Sequence, residues 1–152
     1  MKVNEVMSHQ VEIVSPGDSI QRAAQMMARI DAGILPVGEG DRLVGMITDR
    51  DIAIRGVGAG RNPTDTPVNE VMTREVKYCF EDDDVNRVAE NMAELQVRRL
   101  PVLNRDKRLT GIISLGDIAR DHEPGKAGSA LHHISQRGGQ HSQTQGSGSG
   151  VR

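Results

Sequence analysis

Two short stretches hold most of the chemistry in this sequence. Gly45-Met46-Ile47-Thr48-Asp49-Arg50-Asp51 and Gly111-Ile112-Ile113-Ser114-Leu115-Gly116-Asp117 each run glycine, two apolar residues, a hydroxyl, two spacers and an aspartate. The apolar pair reads as the end of a buried strand, and the hydroxyl after it reads as the start of a helix. A helix start offers unpaired N–H groups and partial positive charge, which suit phosphate oxygens. The hydroxyl of Thr48 or Ser114 can donate to the same oxygens, and Asp51 or Asp117 can accept from both hydroxyls of a ribose diol. That combination fits a nucleotide. The same letters also spell a helix cap, with Thr48 or Ser114 at the N-cap and Asp51 or Asp117 as the acidic third position of a capping box. Both stretches keep the hydroxyl and the aspartate while their spacers differ completely, Asp49-Arg50 against Leu115-Gly116. A cap alone tolerates many residues there, so the shared pair favours a ligand.

The elements that position these residues form a repeat. Val3-Asn4-Glu5-Val6-Met7 recurs letter for letter as Val68-Asn69-Glu70-Val71-Met72, and Leu35-Pro36-Val37 recurs as Leu100-Pro101-Val102. Between residues 3 and 37 the offset of 65 gives 14 identities in 35 positions. One extra residue in a polar turn, GEGD in one copy and NRDKR in the other, moves the offset to 66 for the remainder. Each copy predicts a short strand (residues 11–15 or 76–80), then a helix. Ile20, Ala23, Ala24, Met27 and Ile30 follow helical spacing in the first copy, and Val85, Val88, Ala89, Met92 and Leu95 in the second. Asp18 and Asp83 read as N-caps of these helices. A Leu-Pro-Val strand, a polar turn and a further strand make a hairpin, and a second helix starts at residue 49 or 115. The fold class is mixed α and β (α/β or α+β): two β-α-β-β-α units. A unit of that size buries only about 60% of its unfolded surface and is marginal alone. The two are therefore expected to pack face to face about a pseudo-two-fold axis, each lead-in segment (3–7 or 68–72) lying across the partner, with paired clefts between them. The expected divisions are 1–60, 61–121 and a tail, 122–152, rich in Gly, Ser, Gln and His, which reads as disordered apart from a short stretch around Leu131 and Ile134.

Composition excludes several classes. The formal charge is −2, which gives no bulk attraction to nucleic acid or anionic lipid. Tyr78 and Phe80 are the only aromatics, too few for a base-stacking platform. Cys79 is the single cysteine, so neither an internal disulfide nor a cysteine zinc site is expected. No apolar run approaches the roughly 20 residues of a membrane span. His132, His133 and His141 lack an ordering scaffold for a metal, and His9 stands alone. Cys79 among apolar neighbours reads as an inert buried thiol, and the acidic run 81–84 as a complement to the following helix dipole. With no nucleophile–base arrangement or P-loop lysine, the chain does not read as an enzyme. A cytoplasmic location is expected.

Two tandem copies of strand, helix, Leu-Pro-Val hairpin and glycine–apolar–apolar–hydroxyl–x–x–aspartate resemble cystathionine-β-synthase (CBS) domains, and the pair resembles a CBS (Bateman) module. The resemblance covers roughly residues 1–121. It implies a regulatory sensor of adenosyl ligands, most commonly AMP, ADP or ATP and less often NAD(H) or S-adenosylmethionine, bound in clefts between the two units, and many such modules pair as homodimers. Such a stand-alone module acts on an effector protein in trans. By position, Asp51 and Asp117 would hold ribose, while Thr48 and Ser114 would approach phosphate. Arg50 is a further candidate for phosphate, although an arginine in a first helical turn is more commonly just exposed. Family members place basic residues before the Leu-Pro-Val strand. Here Arg98 and Arg99 stand in the second copy, but Gly33 and Ile34 in the first, so the two clefts should differ. Ile34, Pro36 and Pro101, with Val11, Ile13, Val14, Ile47, Val76, Tyr78, Leu100 and Ile113, are available as apolar walls for adenine. The competing expectation is a ligand-independent dimerisation or interaction module with vestigial clefts.

Overall fold

In the computed structural model, which describes residues 1–121 and Ile134, the chain forms two compact units. The middle unit is Glu12–Val76, and the terminal unit joins Met1–Val11 to the chain from Lys77 onward. The architecture is mixed helix and strand, as expected.

In the middle unit, α1 (Ile20–Ile30) precedes a hairpin of β1 (Ile34–Glu39) and β2 (Arg42–Thr48). A single turn, α2 (Asp49–Asp51), runs on through a π-helical turn at Ile52–Gly56 and a 3₁₀ turn at Val57–Ala59. The terminal unit repeats the order with β3 (Cys79–Phe80), α3 (Val85–Leu95), β4 (Arg99–Leu103), β5 (Leu109–Ser114) and α4 (Leu115–Asp121). Both hairpins are antiparallel and share one register: Ile34 lies opposite Thr48 and Arg99 opposite Ser114, each hairpin carrying a bulge after its Leu-Pro-Val strand.

Alternation along each strand sorts its side chains between two faces. Leu35, Val37 and Ile47 pack with Ile20, Ala23, Met26 and Met27 of α1, and Leu100, Val102 and Ile113 pack with Val85, Val88, Ala89 and Met92 of α3. The helical spacing thus places the core, except that Ala24 is exposed and Met26 takes its place. Ile118 is fully buried in the terminal core, and Ile134 packs half-buried against it. The expected disordered tail, with His132, His133 and His141, otherwise lies outside the described residues.

Two local expectations are corrected. The N-caps are Ser19, whose hydroxyl accepts from the Arg22 N–H, and Asp84, whose carboxylate accepts from the Asn86 N–H. Asp18 and Asp83, one residue earlier, close the preceding turn by accepting from the Ser15 and Phe80 N–H groups at 2.9 Å. The expected first strands (11–15 and 76–80) are also shorter in the structure. Only Cys79–Phe80 pairs as a strand, parallel to β4, while the first copy keeps the single bridge Val14–Val37.

Each lead-in packs on the core of the other copy. Val3, Val6 and Met7 are buried in the terminal core, and Val68, Val71 and Met72 in the middle one. Each forms a 3₁₀ turn, Val3–Glu5 or Val68–Glu70, followed by a bridge to the hairpin edge, Ser8 to Ile112 or Thr73 to Met46.

Candidate functional site

The strand-to-helix turns are built alike in both units. In the middle unit the Thr48 hydroxyl accepts from the Asp51 N–H, and an Asp51 carboxylate oxygen accepts from the Thr48 N–H, both at 3.0 Å. In the terminal unit the Ser114 hydroxyl accepts from the Asp117 N–H at 3.1 Å, and Asp117 Oδ2 accepts from the Ser114 N–H at 2.9 Å. These are reciprocal capping boxes, each satisfying two backbone donors. Accepting an N–H leaves each hydroxyl its own proton to donate.

The boxes differ in exposure and charge. Thr48 and Asp51 are both 5% exposed, whereas Ser114 and Asp117 are half-buried. Asp117 Oδ1 also accepts from the Arg120 guanidinium at 2.8 Å, a partner absent from the sequence-based expectations although its spacing of three residues on a helix signals it. The Leu115 N–H donates to the Arg98 carbonyl at 3.0 Å, which ties the start of β4 to the start of α4. Arg98 is exposed and Arg99 half-buried directly across from Ser114. Arg98, Arg99, Ser114, Asp117 and Arg120 therefore share one end of the terminal hairpin.

At the matching end of the middle hairpin, Ile34 lies across from Thr48, and the Asp49 N–H donates to the Gly33 carbonyl at 2.9 Å. The Arg50 N–H donates to Asp49 Oδ1 at 2.8 Å. The first-turn amides of residues 49, 50 and 51 thus all have partners inside the chain, so anion donors at this turn must come from side chains. One is at hand: Arg50 Nε is buried without a hydrogen-bond partner.

Of the apolar wall candidates, Val14, Ile47, Leu100 and Ile113 belong to the helix-packed cores. Ile34 and Pro36, and likewise Pro101 beside Arg99, sit on alternate strand positions and so on the opposite face.

The glycine that opens each motif has a packing reason. A Cβ on Gly45 would lie 2.7 Å from Met72 Sδ and 3.0 Å from the Thr73 carbonyl oxygen. Only glycine lets the lead-in approach so closely. The signal is present in the sequence, as a repeated glycine and a repeated Met at a fixed offset, but neither residue alone points to the other.

Outside these turns, Cys79 is buried, and its thiol is pushed up to about 12 by desolvation and by the nearby Asp83 charge. Arg105 forks onto Asp82 at 2.8 and 3.0 Å and lies over the Phe80 ring, whose edge-to-face neighbour is Tyr78. The Arg105 hydrogen bond holds the Asp82 carboxyl below its usual range. Among the described residues no group of three or more His, Cys, Asp or Glu gathers to hold a metal, and no helix is long and apolar enough to cross a membrane.

Comparison with known proteins agrees with this geometry. The CBS domain family matches residues 3–57 and 68–122. CBS domain-containing protein YhcV of Bacillus subtilis is 41% identical over 136 residues, covering 89% of this chain and 96% of that protein. The crystal structure of Hypoxic Response Protein I with two coordinated zinc ions superposes with a TM-score of 0.73 at 36% identity, covering 81% of this chain and all of that one. The CBS domain pair of protein MJ0100, solved in complex with 5′-methylthioadenosine and S-adenosyl-L-methionine, gives a TM-score of 0.68 at 29% identity, covering 79% of this chain and 94% of that one.

Proposed function

Because the chain belongs to the CBS domain family, with both of its copies matched, we propose that it is a regulatory module that holds an adenosyl ligand at the Thr48/Asp51 and Ser114/Asp117 turns. The observation that carries this reading is the pair of boxes. Two copies whose intervening spacers have diverged keep the same hydroxyl and carboxylate in the same geometry. An ionised carboxylate has about four acceptor sites, so it can take ribose hydroxyls beside the bonds it makes within the chain. A solved CBS pair of similar fold carries two adenosyl compounds.

Arg98, Arg99 and Arg120 stand at the end of the terminal hairpin that carries Ser114 and Asp117, and guanidinium forks match phosphate oxygens. The middle turn has Gly33 and Ile34 in place of those first two arginines and offers Arg50 instead. AMP, ADP or ATP therefore suits the terminal turn, with Pro101 beside the base. The middle turn, beside Ile34 and Pro36, suits an adenosyl compound without phosphate such as S-adenosylmethionine, while NAD(H), with its two phosphates, belongs with the terminal turn. The module acts by binding rather than by catalysis. A ligand that prefers one arrangement of a homodimer biases an effector protein in trans, in the cytoplasm.

Titration calorimetry and thermal shift with AMP, ADP, ATP, NAD(H), S-adenosylmethionine and adenosine test the reading. At a concentration 100 times its Kd a bound ligand stabilises the fold by about 2.7 kcal/mol. Asp117→Asn and Asp51→Asn should each remove their share of that gain. If no adenosyl compound binds at millimolar concentration, the reading fails. One observation favours a second reading, an interaction module without a ligand: both boxes close fully on their own backbone. In that case the aspartate variants lose stability, yet no compound raises the melting temperature of the parent.

A further inference from the structure

The two lead-ins occupy seats that match bond for bond. The Val3 N–H donates to the Asp83 carbonyl at 2.9 Å, as the Val68 N–H does to Asp18 at 2.7 Å. The Asn4 N–H donates to the Glu81 carbonyl at 2.9 Å, as the Asn69 N–H does to Pro16 at 3.0 Å. In return the Val85 N–H donates to the Met1 carbonyl, and the Ile20 N–H to that of Thr66. Past the turn, Ser8 exchanges both backbone bonds with Ile112, and Thr73 does the same with Met46. Met7 then sits over Gly111 as Met72 sits over Gly45. One peptide sequence fills one kind of seat twice.

The seats differ in how the occupant is kept. Residues 68–72 are continuous on both sides with the unit that holds them, and arginines fasten them. Arg55 Nη1 donates to the carbonyls of Val71 and Met72 at 3.0 and 3.1 Å, and Arg61 pairs with Glu70, while Arg74, just past the segment, donates locally to the Asn69 carbonyl. The position that matches Arg55 in the second copy is an aspartate in the sequence, not an arginine. Residues 3–7 are bound by the backbone bonds above and by burial of Val3, Val6 and Met7. Among the described residues their Glu5 serves only the Lys2 N–H, inside the arm itself. The arm leaves its own unit after Val11, so it is tethered to its seat through the other unit.

We propose that the Met1–Val11 arm exchanges, and that its seat on the terminal unit takes the same Val-Asn-Glu-Val-Met segment from a second copy of this chain. The seat reads backbone edges, two valines and a methionine, and these are identical whichever chain supplies them. Exchange remakes every bond it breaks, which makes it a low-cost route to association. Mass action raises the exchanged form with protein concentration. The arginine-fastened seat of the middle unit does not exchange. This inference goes beyond the ligand reading and does not depend on it.

Disulfide trapping between full-length single variants tests it. Ser8→Cys chains are mixed, reduced, with Ile112→Cys chains, incubated and then oxidised, and linked peptides are read by mass spectrometry. A bond between positions 8 and 112 can then form only between chains. A parallel mixture of Thr73→Cys with Met46→Cys chains probes the fastened seat, and the parent chain, with Cys79 alone, sets the background. The yield of the 8-to-112 link should clearly exceed that of the 73-to-46 link. It should grow with total protein and vanish when the Ser8→Cys chain also carries Val3→Asp and Met7→Asp. Equal yields in the two mixtures, or a link that survives Val3→Asp and Met7→Asp, overturns the proposal.

Discussion

Met7 seals Gly111: a Cβ on that glycine would lie 2.5 Å from Met7 Sδ and 2.7 Å from the Ser8 carbonyl oxygen. The sulfur is the end of a flexible side chain and can move. The carbonyl belongs to the backbone that pairs with Ile112, so it cannot move without loosening the arm. Gly111→Ala should therefore destabilise the protein by about 1–3 kcal/mol, the usual cost of overpacking, read as a lower urea midpoint. Gly45→Ala meets the Thr73 carbonyl at 3.0 Å and should cost less. Equal stability of Gly111→Ala and parent would remove close approach as the reason for this glycine.

Arg55 is the clearest stabilising side chain of the middle seat, since one guanidinium nitrogen reaches two carbonyls. Arg55→Met keeps the stem and deletes the donors. Hydrogen bonds from charged donors contribute about 1.5–3 kcal/mol, so the loss should fall near the low end for this part-buried site. Hydrogen exchange should localise the weakening to residues 68–73.

The capping boxes have a stability role that needs no ligand. Thr48→Ala and Ser114→Ala each remove the acceptor of an N-cap, at about 0.5–2 kcal/mol. The cost should be larger at Thr48, because its box is more deeply buried and water cannot replace the lost partner. Denaturant titration of the two variants without any nucleotide measures this directly.

Cys79 supplies a pH prediction. Its folded pKa, about 12, lies above the ordinary thiol value of 9.0 because the thiolate would be buried near Asp83. The folded state therefore holds the proton more tightly than the unfolded one. The resulting stability is complete below pH 9.0 and is lost as pH rises towards about 12. Thiol reagents at pH 8 should label the native protein at the rate of unfolding and the denatured protein at once. Rapid native labelling would mean that β3 opens on its own.

Much of this architecture is legible in the letters, and the failures have physical causes. The duplication sets the order of elements, and the Leu-Pro-Val strand followed by polar turn residues locates both hairpins. Helical spacing finds all but one of the buried α1 positions. Asp18 and Asp83 mislead because an aspartate can close a turn as readily as it caps a helix, and Ser19 and Asp84 stand beside them. The hydroxyl and aspartate of each turn are readable, and their reciprocal bonds are one of the two arrangements the letters allow. The Asp117 pairing with Arg120 and the burial of Arg50 Nε depend on side-chain direction, which spacing alone leaves undefined. The conjunction of Met7 with Gly111 joins residues a hundred positions apart, and no local pattern reports it.

That long reach bears on how the chain is made. The Glu12–Val76 stretch is continuous and carries its own lead-in, so on the ribosome it can close as soon as it has emerged. Residues 1–11 emerge before that stretch yet find no seat until Gly111 and Ile112 leave the exit tunnel. Throughout that interval the nascent chain shows Val3, Val6 and Met7 to its surroundings, and they are put away only after the stretch that follows them.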